Sequence, residues 1–125
     1  MLVIAQRLVR TICKSCRTLE PINPEWAAKL KKLDMTPEEL DGELYFGVGC
    51  EECFHSGYAG RTAIYEFLPI DETIRTEIME GVTASQMKRG AINRGLKTLR
   101  MDGCDKIRER QTTPDEVLRV TQLDV

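Results

Sequence analysis

Four of the five cysteines fall in two Cys-x-x-Cys pairs, Cys13-Lys-Ser-Cys16 and Cys50-Glu-Glu-Cys53, while Cys104 stands alone. Each pair sets two thiolates on one tight turn, and two such turns brought together complete a tetrahedral shell of four sulfurs. Zinc suits that shell, because its filled d shell imposes no competing geometry and thiolate is a soft ligand; a rubredoxin-like iron site uses the same donors. With all four positions filled, water has no place on the ion, so the metal is expected to be structural and non-catalytic. Four thiolates on a divalent ion leave excess negative charge. Backbone N–H groups of the turns and cations such as Lys14 and Arg17 are expected to offset it, with Glu51 and Glu52 pointing away. His55, the only histidine, follows Cys53 by two residues and reads as a hydrogen-bond donor beside a complete shell rather than a replacement ligand. Cys104 adjoins Leu99 and Ile107, with no neighbouring thiol or base, and reads as a small core residue rather than a redox thiol.

Reading these cysteines as ligands requires a reducing compartment. The opening MLVIAQRLVRTIC is broken at Gln6, Arg7 and Arg10, which fits neither a signal peptide nor a membrane span, so a cytosolic chain is expected, where thiols stay reduced. No G-x-x-x-x-G-K-[ST] loop, G-x-G-x-x-G run or Gly-x-Ser-x-Gly elbow occurs, and one histidine cannot make a two-histidine zinc hydrolase site. The chain alone is expected to catalyse nothing. Its 125 residues suffice for one domain or two small ones. A net charge of −2, from 18 Lys plus Arg against 20 Asp plus Glu, excludes a general polyanion binder, and the 42% hydrophobic content excludes a wholly disordered chain.

The elements that must position the two cysteine turns follow from periodicity and punctuation. Ile4, Ala5, Leu8, Val9 and Ile12 recur at helical spacing, which predicts an amphipathic helix over residues 1–12 running into Cys13. A turn-rich stretch with Pro21 and Pro24 leads to a short helix carrying Trp26, Ala27, Leu30 and Leu33. Thr36, Pro37 and Glu39 form a capping box for one more turn, ended by Gly42. The β-prone runs Glu43 to Val48 and Thr62 to Leu68 flank the second cysteine pair, which suggests that they form an antiparallel pair closing over it. The 33 residues from 17 to 49 exceed the spacing of about 15–20 in compact zinc sites. They are expected to fold as a small lobe whose core is too slight to form without metal.

Beyond Pro69 and Asp71 the signals are helical. Ile74 and Ile78 mark one helix, stopped by Gly81. Thr83 with Gln86 caps a second, ending near Gly95, and Leu96, Leu99, Gly103 and Ile107 stripe a third. Thr113, Pro114 and Glu116 cap a last helix to about Thr121, with Val117 and Leu118 buried. The fold class is α+β: a metal lobe over 13–68 with a short antiparallel β pair, then a helical subdomain over 69–125. From Lys88 to Arg110 eight Lys/Arg face three Asp/Glu. That segment reads equally as solvated helix faces or as a docking surface for acidic protein or phospholipid headgroups. Nucleic acid is disfavoured, because no aromatic residue follows position 67 to stack on a base.

The runs QRLVRTICKSC (6–16), GVGCEECFHSGYAGRTAIYEFLPI (47–70), LKTLRMDG (96–103) and TTPDEVLRVT (112–121) together resemble the C-terminal part of the type II secretion and type IV pilus assembly ATPases. The resemblance runs in order through nearly the whole chain and is weakest over 17–46. It implies that Cys13, Cys16, Cys50 and Cys53 bind one zinc ion in a lobe on the ATPase core, with residues 1–12 a helix from the end of that core. It implies a hexamer on the cytoplasmic side of the inner membrane that drives secretion or pilus assembly through a membrane platform protein. ATP, Mg2+, the phosphate loop and the catalytic glutamate then belong to the region preceding Gln6, so the chain resembles a tail separated from its motor. Two positions depart from the pattern: Ala63, where Gly is usual and Ala is at least as good in a strand, and Cys104, where a plain apolar residue is usual. A free-standing zinc-ribbon-like nucleic-acid module is the alternative built on the same knuckles. The net charge and the two glutamates inside the second knuckle oppose it, and a chaperone-type zinc finger lacks its further repeats.

Overall fold

Residues 2–121 are described by the computed structural model. The first element is a strand, β1 (Leu2–Ile12), not the helix that the apolar spacing predicts. It pairs antiparallel with β4 (Tyr58–Pro69) from Leu2 opposite Pro69 to Arg10 opposite Arg61, with a register shift between Arg10 and Ile12. A short run of aliphatic residues satisfies both a 3.6 and a 2.0 period, and a long partner strand decides between them. The inward set is Ala5 and Val9, which meet Ile64 of β4. Ile4 and Leu8, also on the helical stripe, stay about half exposed on the opposite face.

The β-prone run after residue 43 also pairs differently from expectation. β3 (Glu43–Gly47) joins β2 (Arg17–Pro21), with Arg17 opposite Gly47 and Pro21 opposite Glu43, rather than β4. β2 carries two charges and a terminal proline in five residues and gives little β signal of its own. The result is two antiparallel strand pairs, β1/β4 and β2/β3. The first cysteine turn links β1 to β2, and the second links β3 to β4.

The helices follow their caps. Asn23 accepts the Trp26 N–H at 2.7 Å to start α1 (Pro24–Lys32). Thr36 donates its N–H to Glu39 at 2.6 Å, heading a 3-10 turn (Pro37–Leu40) that leaves through Asp41 and Gly42, both at positive φ. Asp71 caps α2 (Glu72–Met79), Thr83 and Gln86 cap α3 (Ala84–Asn93) reciprocally, and Thr98 caps α4 (Leu99–Arg108). These devices satisfy N–H groups that a helix start leaves without partners.

The larger core joins Leu30, Leu33, Met35, Leu40 and Leu44 from the 17–49 insert to Cys104 and Ile107 of α4 and Val117 of α5 (Pro114–Thr121). The insert is therefore not a self-contained lobe, because its apolar side chains are buried against the C-terminal helices. Cys104 takes the core position expected of it: burial pushes its thiol up to about 11, and its Sγ lies 3.7 Å from the Leu33 carbonyl.

α5 is fastened to β1 by a carboxylate. Thr113 accepts the Glu116 N–H at 3.3 Å, as a cap should, but Glu116 does not turn back to close the box. The carboxylate of Glu116, a residue 1% exposed, accepts the Arg10 backbone N–H at 2.9 Å and the Nε–Nη2 edge of the Arg10 guanidinium at 3.1 and 2.9 Å. Arg119 adds two more bonds at 3.1 and 2.7 Å. Thr112 donates to the Arg10 carbonyl at 2.7 Å, and the Arg10 guanidinium lies 4.4 Å over the Tyr58 ring.

Where the two strand pairs converge, the backbones of Gly47 and Gly57 touch. A Cβ on Gly47 would lie 2.6 Å from the Gly57 Cα, and Gly57 itself sits at φ +84°. Gly47→Ala is expected to cost about 3 kcal/mol or more, because backbone rather than a flexible side chain must yield. Urea unfolding checks this, and a variant as stable as the parent chain would contradict the close approach.

Candidate metal centre

Both cysteine turns end strands, so the strand pairs carry the four thiols to one point. Their sulfurs all lie within 4.8 Å of one another. Cys13 to Cys50 is 3.7 Å, Cys16 to Cys53 is 3.8 Å and Cys50 to Cys53 is 3.6 Å. A tetrahedron with metal–sulfur bonds of about 2.3 Å has edges of about 3.8 Å, whereas a disulfide needs about 2.05 Å. The spacing fits four ligands on one ion and does not fit two cross-links. Cys13, Cys16 and Cys53 are buried and Cys50 is partly so.

The turns also supply donors for negative sulfur. The Gly49 N–H points to Cys16 at 3.3 Å, and the N–H groups of Cys50 and Gly57 point to Cys53 at 3.2 and 3.3 Å. Burial pushes the Cys53 thiol up, but those two N–H groups together with hydrogen bonds from the Cys50 and Cys16 thiols outweigh it and bring it down to about 6. Burial pushes the Cys16 thiol up to about 12, against a smaller lowering by the Gly49 N–H. A cation among these sulfurs favours their thiolate forms.

Arg17 stacks 4.7 Å over Tyr45, and Lys14 is exposed. Glu51 and Glu52 are exposed as expected, and Glu52 accepts a hydrogen bond from Ser15, linking the tips of the two turns. His55 is exposed and stands outside the sulfur cluster. Its backbone N–H, not its ring, makes the local bond, to the Cys50 carbonyl at 2.8 Å. Gly49 at φ +100° and the run Phe54, His55 and Gly57 at positive φ form the bends that aim these N–H groups inward.

Sequence reasoning missed the residues that brace the centre. Cys13 donates its N–H to the Gly57 carbonyl at 2.9 Å, and Ile12 donates to Gln111 at 2.9 Å. Tyr58 bonds Thr113 through its hydroxyl at 2.7 Å. Each contact joins segments far apart in the chain, and only the glycines hinted at the close approach.

Residues 1–119 match the family model described as Type II/IV secretion system protein. The chain belongs to that family. It is 42% identical over 120 residues to the type IV pilus assembly ATPase PilB of Thermus thermophilus, covering 95% of this chain and 13% of that protein. It is 44% identical over 120 residues to the type II secretion system protein E of Dickeya dadantii, covering 96% and 23% respectively. The protein of the same description from Aeromonas hydrophila is 39% identical over 122 residues, covering 98% and 23%. The chain thus spans less than a quarter of the length of these relatives. Among the described residues no helix is long and apolar enough to cross a membrane.

Proposed function

We propose that Cys13, Cys16, Cys50 and Cys53 hold one structural Zn2+ within a secretion or pilus-assembly ATPase, in a region that carries no nucleotide site of its own. Three sulfur separations of 3.6–3.8 Å, with all four sulfurs within 4.8 Å of one another, carry this reading, and the soft, fully closed donor set favours zinc. The ion pins the ends of both strand pairs together and leaves no position for a reacting water. Residues 13–68 form the metal-bearing part and 69–125 the helical part. ATP and Mg2+ belong to the remainder of the parent protein, which the names of the relatives support.

In that parent, the region packs on its own ATPase core and on neighbouring subunits of a hexamer, at the cytoplasmic face of the inner membrane. There it supports the motor and docks partners, among them the inner-membrane platform protein. Nucleic acid is not among its expected partners.

The test uses two preparations. The purified chain is expected to turn over no ATP, and turnover above background would overturn the placement of the nucleotide site. In the parent ATPase, Cys53→Ser is expected to lose the zinc and to impair secretion or pilus assembly. Full zinc content or full function would overturn the structural role.

A further inference from the structure

The eight cations between Lys88 and Arg110 are largely tied down inside the chain. Lys88 faces Glu66, Arg94 faces Glu77, Lys97 faces Asp102 and Asp105, and Arg108 bridges Glu39 and Asp105. Arg110 is spent on the carbonyls of Leu40 and Glu43. Lys106 faces Glu109, and two further arginines, like Arg110, have no carboxylate partner among the described residues. Among the described residues Arg100 bonds only the neutral hydroxyl and carbonyl of Thr121, at 3.1 and 3.0 Å. Arg89 is exposed and makes no ion pair among the described residues.

Both open onto the same feature, a groove of about 900 Å³ between α3 and α4. Its apolar lining comes from Leu33, Ile92, Met101 and Cys104, and Met101 is 41% exposed. Each helical wall has ten residues, a length of about 15 Å, or roughly three turns of a guest helix.

We propose that this groove is a docking site for an acidic amphipathic helix of a partner protein, its apolar face on Ile92 and Met101 and its carboxylates on Arg89 and Arg100. An amphipathic helix offers anchors at i, i+3, i+4 and i+7, which suit an apolar trough two to three turns long. A rim holding two guanidiniums without carboxylate partners among the described residues selects acidic flanks, since each planar fork can take a carboxylate through two hydrogen bonds. A flat lipid surface could reach the rim but would leave the recessed apolar lining empty, so the protein segment is favoured over phospholipid headgroups. The inference rests on the partner-docking role proposed above and adds to it a face and a chemistry.

The test is fluorescence anisotropy on the intact, metal-loaded chain. The probe is a labelled synthetic helix of about four turns, with leucines at i, i+3, i+4 and i+7 and glutamates elsewhere. A scrambled peptide of the same composition and phosphatidylglycerol vesicles serve as comparisons. The patterned peptide is expected to bind and to weaken as salt rises. Arg89→Glu and Met101→Glu, both at exposed positions, are each expected to weaken it about tenfold or more, with metal content and circular dichroism unchanged. Equal binding of the scrambled peptide, tighter binding to vesicles, or indifference to both substitutions would overturn the proposal. Because metal content is read on the same samples, failure of the groove and failure of the zinc site remain distinguishable.

Discussion

Stripping the metal by chelation, or replacing Cys53 by Ser, is expected to lower the thermal midpoint by about 15 °C or more. A structural tetrathiolate site contributes far more than the few kcal/mol that such a shift requires in a domain of this size. The loss should be uneven. The insert's core of Leu30, Leu33, Met35, Leu40 and Leu44 packs against α4 and α5 without using any of the four clustered sulfurs, so helical circular dichroism should persist below the lowered transition. The cysteine turns have no comparable support. The N–H groups of Gly49, Cys50 and Gly57 point at sulfur, so their hydrogen exchange should accelerate once the turns open. Calorimetry and exchange on the same sample check both halves. An unchanged midpoint with unchanged protection would contradict a structural ion.

Glu116→Ala is expected to destabilise the chain by about 2–3 kcal/mol. The loss falls below the full cost of breaking a buried pair because both arginines reach solvent. Burial alone would raise this carboxyl, but Arg119 and Arg10 overcome it and hold the group down to about 2, against an ordinary 4.5. A carboxyl depressed in the folded state stabilises the fold above its unfolded value, and that contribution drains away as the pH falls through its folded value. The advantage of the parent chain over Glu116→Gln should therefore be full above about pH 4.5 and shrink between there and pH 2. Urea titrations across that window measure it. A difference that does not vary with pH would mean that the carboxylate's charge is not what holds α5 to β1.

The cysteine cluster was legible because its chemistry is local, as a Cys-x-x-Cys turn declares itself in four residues. The caps at Asn23, Thr36, Asp71, Thr83 and Thr98 act over three or four residues, and those signalled by proline or a paired Glu/Gln could be read for the same reason. Strand pairing is not local. β1 carries aliphatic residues that fit a helix as well as a strand, and only β4, more than forty residues away, decides the matter. β2 has too few β-prone residues to announce itself and exists because the joined cysteine turns bring Arg17 opposite Gly47. Glu116 shows how a local rule can conceal a distant one. Three residues after Thr113 it looks like the closing member of a capping box, yet its carboxylate belongs to Arg10, on the far side of the sequence. The basic segment shows the reverse: its excess charge was visible in the sequence, but the partners that quench most of it were not.

The central claim is that four cysteines from two distant turns hold one zinc ion. Elemental analysis together with zinc-edge X-ray absorption tests it most directly, on chain purified under reducing conditions without added metal. The account predicts about one zinc per chain surrounded by four sulfurs at about 2.3 Å. Chain free of metal, or a shell containing nitrogen or oxygen in place of sulfur, would contradict it.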